Sequence, residues 1–242
     1  MADFINSVSA VKHLVYDTKQ VSMSELLDAL SCDFEGSENV LKACKEAPKF
    51  GNDDPRADDF AAELFTYIAD EIESYRSKFG VMTPGILPVS GNTPFGVEVG
   101  ALPSGRKAGK PLADGVSPNG GTDINGPSSV LKSVANIPHD RFVQGTLLNM
   151  KLDPEMVADE NGIQQLMAML KSLCTLGVYH VQFNVVDQKK LIEAQKNPEE
   201  YKNLLVRVAG YTAFFVELGK DVQDDIIART IQTEPGSCIT CG

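Results

Sequence analysis

One glycine in this 242-residue sequence stands where its own chemistry could be used. The run Leu204-Leu205-Val206-Arg207-Val208-Ala209-Gly210-Tyr211 sets Gly210 directly after a short apolar stretch. Loss of a hydrogen atom from its Cα would leave a radical that flattens to sp², between an amide nitrogen that donates and a carbonyl that withdraws. Only glycine reaches that planar state without a Cβ pressing on its neighbours. Spacing alone also permits a turn residue here, or a site of close backbone packing.

A second block narrows the choice. Arg207-Val208-Ala209-Gly210-Tyr211 is followed by Gln223-Asp224-Asp225-Ile226-Ile227-Ala228-Arg229-Thr230, and the pair resembles the signature of the glycyl radical enzymes. Lys49-Phe50-Gly51-Asn52-Asp53-Asp54, Pro103-Ser104-Gly105-Arg106-Lys107-Ala108-Gly109, Pro111-Leu112-Ala113-Asp114-Gly115 and Asn125-Gly126-Pro127 are each similar to segments of that family, in family order. Alanine rather than serine before the glycine resembles the branch of dehydratases, decarboxylases and C–N or C–S lyases more than pyruvate formate-lyase itself.

The family's catalytic cysteine, its thiyl radical site, lies in a Gly-Cys-Val-Glu-like motif well upstream, and this sequence has no match to it. Cys32 follows Leu30-Ser31, Cys44 lies in a polar helical stretch and Cys174 in an apolar helix, so each reads as a packing or incidental thiol. The resemblance is therefore to the C-terminal third of such an enzyme.

Composition sets wider bounds. A net charge of −11, with 22 Lys and Arg against 33 Asp and Glu, argues against nucleic acid as a partner. No stretch approaches the roughly 20 unbroken apolar residues of a membrane span. The start, Met1-Ala2-Asp3-Phe4, lacks the features of a secretory signal. Five cysteines without framework spacing point to a reducing compartment, and cytoplasm is the expectation.

The elements that must position Gly210 read as α/β. Apolar residues at three- and four-residue intervals predict helices over 6–16, 23–30 and 38–47, and Asp53-Asp54-Pro55 predicts the start of a long helix ending near Phe79. Phe60, Leu64, Tyr67, Ile68 and Ile72 form its expected core stripe. Beyond Gly80, β-like runs at 86–89, 145–152, 179–185 and 204–208 alternate with apolar stretches at 128–134 and 163–176 and helices at 188–195 and around Ile226 and Ile227. That alternation predicts mostly parallel pairing. The resemblance implies the later part of a ten-stranded α/β barrel enclosing the glycine loop, with residues 1–80 a helical segment of the pyruvate formate-lyase-like domain and 81–242 an α/β segment, of which about 116–242 is the glycine radical domain.

Residues 90–127 are rich in glycine and proline and predict a long ordered loop. Gly121-Thr122-Asp123-Ile124-Asn125-Gly126 has the glycine spacing of a phosphate loop, but Pro127 replaces the lysine, and the stretch reads as a helix start with Pro127 in the first turn. Arg106 and Lys107 could meet an anionic substrate or sit on the surface. By resemblance, Asn92, Thr93 and Phe95 are candidates to line the substrate cavity. His13, His139 and His180 are too scattered for a metal site. Cys238 and Cys241 form a Cys-x-x-Cys pair, half of a structural zinc site or an incidental tail.

The mechanism implied by the family is a radical relay. A separate activating enzyme, using an iron–sulfur cluster and S-adenosylmethionine, takes hydrogen from Gly210, which then draws hydrogen from a cysteine absent here. No cofactor is bound by the chain itself. Val206, Val208, Phe214, Phe215 and Val216 are the neighbours expected to exclude water and oxygen. Two active roles follow: the radical-bearing piece of a split or truncated lyase, dehydratase or decarboxylase that associates with an N-terminal piece carrying the cysteine; or a spare glycyl radical subunit that rescues an oxygen-cleaved full-length homologue. A non-catalytic scaffold that retains the fold is the third reading.

Overall fold

The computed structural model describes residues 1–87, 90–229 and 231–232. Four helices come first: α1 (Ala2–Val11), continued by one π-helical turn over Lys12–Asp17, α2 (Met23–Ser31), α3 (Glu38–Glu46) and α4 (Pro55–Ser74). Their starts are chemically specified. Ser22 and Glu25 form a reciprocal capping box at α2, and Asp54 accepts from the Arg56 N–H while Pro55 occupies the first turn of α4.

Helix α4 ends at Ser74, short of the expected Phe79, because the chain turns back on itself in a two-stranded hairpin of β1 (Arg76–Ser77) and β2 (Gly80–Val81). Its buried face also differs from the expected stripe. Ala57, Ala61, Phe65 and Ala69 are buried, Phe60, Leu64 and Ile68 flank them, and Tyr67 is 63% exposed. The small alanines let α4 lie close against α1, so the bulk that a hydrophobicity reading weights most ends up on the shoulder of the contact.

The glycine- and proline-rich segment holds a helix of its own, α5 (Asn92–Glu98), where a loop was expected. Polar side chains of the N-terminal helices fix the rest of it. Asp3 accepts from the Ala113 N–H at 2.7 Å and from Asn119 Nδ2 at 2.6 Å, Asn6 donates to Asn119 Oδ1 at 2.7 Å, and Asn52 Oδ1 accepts from the backbone of Ile124 at 2.8 Å. These bonds satisfy loop amides that no strand could reach.

The α/β part follows in the expected order. Helix α6 (Pro127–Ala135) starts at Gly126-Pro127, β3 is Leu148–Leu152, α7 is Glu160–Thr175 and β4 is Val181–Val185. Then come α8 (Gln188–Lys196), β5 (Leu205–Arg207), β6 (Thr212–Phe214), α9 (Lys220–Ala228) and β7 (Ile231–Gln232). Strands β4, β3 and β7 form a parallel sheet in that order, β3–α7–β4 being its crossover unit, while β5 and β6 pair antiparallel. Ile86 makes an isolated parallel bridge to Thr146; Pro88, Val89, Cys238 and Cys241 lie outside the described residues. The main core lies between α1, α4, α6 and β3, and a separate apolar cluster of Leu191, Ala194, Val206, Val208, Phe215 and Ile226 supports the β5–β6 hairpin.

One buried acid sits inside the helical half. Asp58, 3% exposed, accepts from Ser133 Oγ at 2.8 Å, and the same hydroxyl oxygen accepts from the Asp53 N–H at 2.9 Å. Burial, reinforced by the negative charges of Asp53, Asp54 and Asp59 and opposed by the Ser133 bond, raises its carboxyl from 3.8 to about 7. The protonated form therefore favours the fold: its contribution is full below about pH 4 and is lost as pH rises through about 7. Wild-type stability should fall between about pH 4 and pH 7 by up to roughly 1.4 kcal/mol per unit from this group, and Asp58→Asn, which keeps the acceptor for Ser133, should flatten that slope. Urea unfolding midpoints of both proteins across this range check it; parallel curves would contradict it.

Candidate functional site

Gly210 sits at the apex of the β5–β6 hairpin. Arg207 pairs with Thr212 and Val206 with Ala213, and beyond them the Val208 N–H donates to the Tyr211 carbonyl at 2.9 Å. Ala209 and Gly210 are the two residues between, and Gly210 has φ +83°. A positive φ at the third position of a four-residue turn is what a type II turn requires, and it is a conformation in which a Cβ is strained. The turn reading and the chemical reading of this residue thus fall on the same atom.

Its surroundings are uneven. Val206, Val208, Ala209 and Phe215 are buried, Val216 is half-buried, and Gly210, Tyr211 and Phe214 are exposed. Apolar neighbours predict a sheltered glycine; in this chain the flanks are anchored, Ala209 is buried and Gly210 beside it is exposed. The apolar cluster of Leu191, Ala194, Val206, Val208, Phe215 and Ile226 packs under the base of the hairpin.

Two side chains hold the base. Asn184, on β4, treats Arg207 as a strand neighbour would: its Oδ1 accepts from the Arg207 N–H at 2.7 Å and its Nδ2 donates to the Arg207 carbonyl at 2.6 Å. Arg229, just past α9, donates from Nη1 to the Val208 carbonyl at 2.8 Å and from Nη2 to Asp225 at 2.9 Å. Asp114 stands 3.9 Å from the same guanidinium, and the side chains of Arg229, Asp225 and Asp114 are all largely buried. Arg207 itself reaches sideways, to Thr212 Oγ1 at 2.8 Å and to Gln182 Oε1 at 3.0 Å. That contact orients the Gln182 amide and leaves its Nε2 buried with no hydrogen-bond partner among the described residues.

The residues proposed for a cavity wall separate. Asn92 is buried and joins this network, donating to the Leu112 carbonyl at 3.2 Å and to Asp225 at 3.4 Å. Together with Asp114, Asn184, Asp225 and Arg229 it borders a cavity of about 40 Å³ under the hairpin base. Thr93 is buried, whereas Phe95 is 63% exposed. Lys151 closes the far side, capping the end of α9 through the carbonyls of Ile226 and Ile227 at 3.2 and 3.0 Å; burial and the nearby charge of Arg229 lower its amine to about 8.

Sequence reasoning passed over Asn184 and the tasks of Asp114 and Arg229, both of which lay inside quoted segments. Gln182 with Asn184 puts two polar residues at a spacing of two on one strand face, a signal of a buried polar network. Of the three histidines, His139 is buried and bonded on both ring nitrogens, to Thr146 Oγ1 at 2.6 Å and the Val134 carbonyl at 3.0 Å. Burial lowers its pKa. No group of three metal-ligating side chains occurs among the described residues.

Comparison with known proteins bears on this geometry directly. A family model described as glycine radical matches residues 112–216, and one described as pyruvate formate lyase-like matches residues 1–96. Isethionate sulfite-lyase of Nitratidesulfovibrio vulgaris is 41% identical over 93% of the chain, and trans-4-hydroxy-L-proline dehydratase of Clostridioides difficile 40% identical over 94%. The chain spans 28% and 29% of those two proteins. Among solved structures, the B12-independent glycerol dehydratase of Clostridium butyricum superposes with a TM-score of 0.91 at 44% identity, covering 96% of this chain and 30% of that one. With both models matched in order and the fold shared with these structures, the chain belongs to the glycyl radical enzymes of the pyruvate formate lyase-like superfamily.

Proposed function

We propose that this chain is the radical-bearing portion of a glycyl radical lyase, dehydratase or decarboxylase, with Gly210 as the radical store. One observation carries the reading: within the segment matched by the glycine radical model, Gly210 is exposed while the backbone at Arg207 and Val208, on its N-terminal side, is fixed by side chains. Storage needs a glycine that an activating enzyme can reach and that returns to one position afterwards.

The chemistry balances as hydrogen-atom transfers. An activating enzyme that carries an iron–sulfur cluster and S-adenosylmethionine generates a radical, which takes one hydrogen from the Gly210 Cα. The remaining Cα–H lies in the plane of the two flanking peptide groups, and the unpaired electron spreads over both. In the working enzyme a cysteine thiol gives its hydrogen back to Gly210 and becomes the thiyl radical that attacks a small-molecule substrate. Cys32, Cys44 and Cys174 lie in or directly after helices α2, α3 and α7, none of which holds the hairpin, and none of the five cysteines stands in a Gly-Cys-Val-Glu-like motif, so we assign the thiol to a part of the protein, or a partner chain, beyond this sequence. The match of residues 1–96 to the lyase-like model favours this role over that of a spare subunit limited to the glycine segment.

The chain's own contribution is positional. Buried Val206, Val208 and Phe215 keep water from the hairpin base, and Asn184 and Arg229 set the height of the turn. No helix among the described residues is long and apolar enough to cross a membrane. The cytoplasm is the setting that belongs with this role.

Activation by a radical-generating activase without oxygen, followed by exposure to air, should cut the backbone at Gly210, giving two fragments in an intact-mass measurement. Gly210→Ala should give none; cleavage elsewhere, or none in the parent chain, would refute the assignment. Arg229→Lys removes the second guanidinium bond while keeping the charge, so amide exchange at Arg207 and Val208 should quicken several-fold with α4 unchanged. Arg229→Ala, which strands buried Asp225, should cost about 3–5 kcal/mol in unfolding free energy.

A further inference from the structure

A wide cleft among the described residues lies away from the glycine turn. It encloses about 860 Å³ between the end of α3, the start of α4, the 104–112 loop and the last turn of α9. That volume falls within the roughly 300–1,000 Å³ typical of small-molecule sites. In a chain of net charge −11, its walls carry six cationic side chains against three carboxylates.

The carboxylates are already engaged. Asp54 pairs with Arg56 at 2.7 Å, Asp225 with Arg229 at 2.9 Å, and Glu46 lies 3.9 Å from Lys42. Apart from Arg56, the cations are not so served. Lys45, Lys107 and Lys110 are exposed and make no salt bridge among the described residues. Two more are held rigidly, yet by neutral groups. Lys49, 7% exposed, donates to the carbonyls of Cys44 at 2.6 Å and Ala47 at 2.9 Å, which uses two of its three N–H bonds. Arg106 is surrounded by five carbonyls, among them Gly96 at 2.6 Å and Gly100 at 2.9 Å, with Lys110 the nearest.

Carbonyl dipoles orient a cation without cancelling its charge. The packing keeps these groups together: Gly105, at φ +87°, lets the loop lie on α3 so closely that a Cβ there would stand 2.8 Å from Lys45 Cγ. Burial with no carboxylate partner lowers the Lys49 amine to about 8, a sign of a buried cation that an anion would stabilise.

We propose that this cleft binds a small polyanion, a ligand bearing two or more phosphate or carboxylate groups, with Lys49 as the fixed anchor through its third N–H, Arg106 adding its charge while its five N–H groups stay on carbonyls, and Lys45, Lys107 and Lys110 closing on the outer charges. Preorganised cations in a concave wall suit a compact oxyanion, because little side-chain freedom is lost on binding. The site is independent of the radical reading and needs no activation to be observed.

Isothermal titration of the chain with inorganic pyrophosphate, at constant ionic strength, tests it. One saturable site is expected. The Lys45→Ala/Lys107→Ala double variant, which alters only exposed side chains, should weaken it by roughly ten-fold or more, with its unfolding midpoint unchanged. Citrate in place of pyrophosphate separates a phosphate preference from a general demand for clustered negative charge, and binding of either supports the site. No saturable heat with either anion at millimolar concentration, or equal affinity in the variant, would overturn the proposal.

Discussion

The guanidinium of Arg229 performs two tasks in one plane, and the geometry of the glycine turn depends on both. One nitrogen binds the Val208 carbonyl and the other binds Asp225, so the turn is tied to the end of α9 rather than to its own hairpin alone. A two-stranded hairpin of three paired residues is marginal by itself. What fixes it is external: Arg229 on one peptide, Asn184 on the peptide before it, and an apolar cluster beneath.

This arrangement explains how a glycine can be both mobile in chemistry and fixed in place. Gly210 carries no side chain by which the protein could hold it, so position is imposed through the carbonyl of Val208 and both backbone groups of Arg207. Flanking control leaves the Cα–H itself untouched. The same network reaches Asn92 on α5 and Asp114 in the long loop, which connects the turn to the segment that the sequence marks as glycine- and proline-rich. That segment is in turn stitched to the N-terminal helices through Asp3, Asn6 and Asn52. The two matched family segments are thus one connected structure, joined by the main apolar core and by these amide and carboxylate side chains.

Much of the fold was legible because local chemistry announced it. Asp54-Pro55 and Gly126-Pro127 marked helix starts that the structure places at α4 and α6, and the alternation from Gly145 onward corresponds to β3, α7, β4 and α8 in order. Helix α5 was hidden, since Pro94 and Gly96 lower its intrinsic propensity and its bonds to Leu112 and Asp225 come from far along the chain. Strand β6 was hidden for a similar reason: three residues have no period to detect. At the site, the motif identified Gly210 and its neighbours, whereas the clasp of Asn184 and Arg229 on the hairpin backbone is a tertiary fact that the polar pair Gln182 and Asn184 only hints at. The exposed Gly210 also departs from the sheltered glycine anticipated from apolar neighbours, because Val206, Val208 and Phe215 pack into the cluster beneath the hairpin.

Radical storage requires that the Cα of Gly210 gives up one hydrogen and retains the other. Electron paramagnetic resonance of the anaerobically activated chain reads this out when the protein is made once with ordinary glycine and once with glycine deuterated at Cα. The expected signal is a doublet, split by the single remaining Cα hydrogen, that collapses towards a single line in the deuterated protein. A splitting that survives deuteration would place the spin on another residue and contradict storage at Gly210.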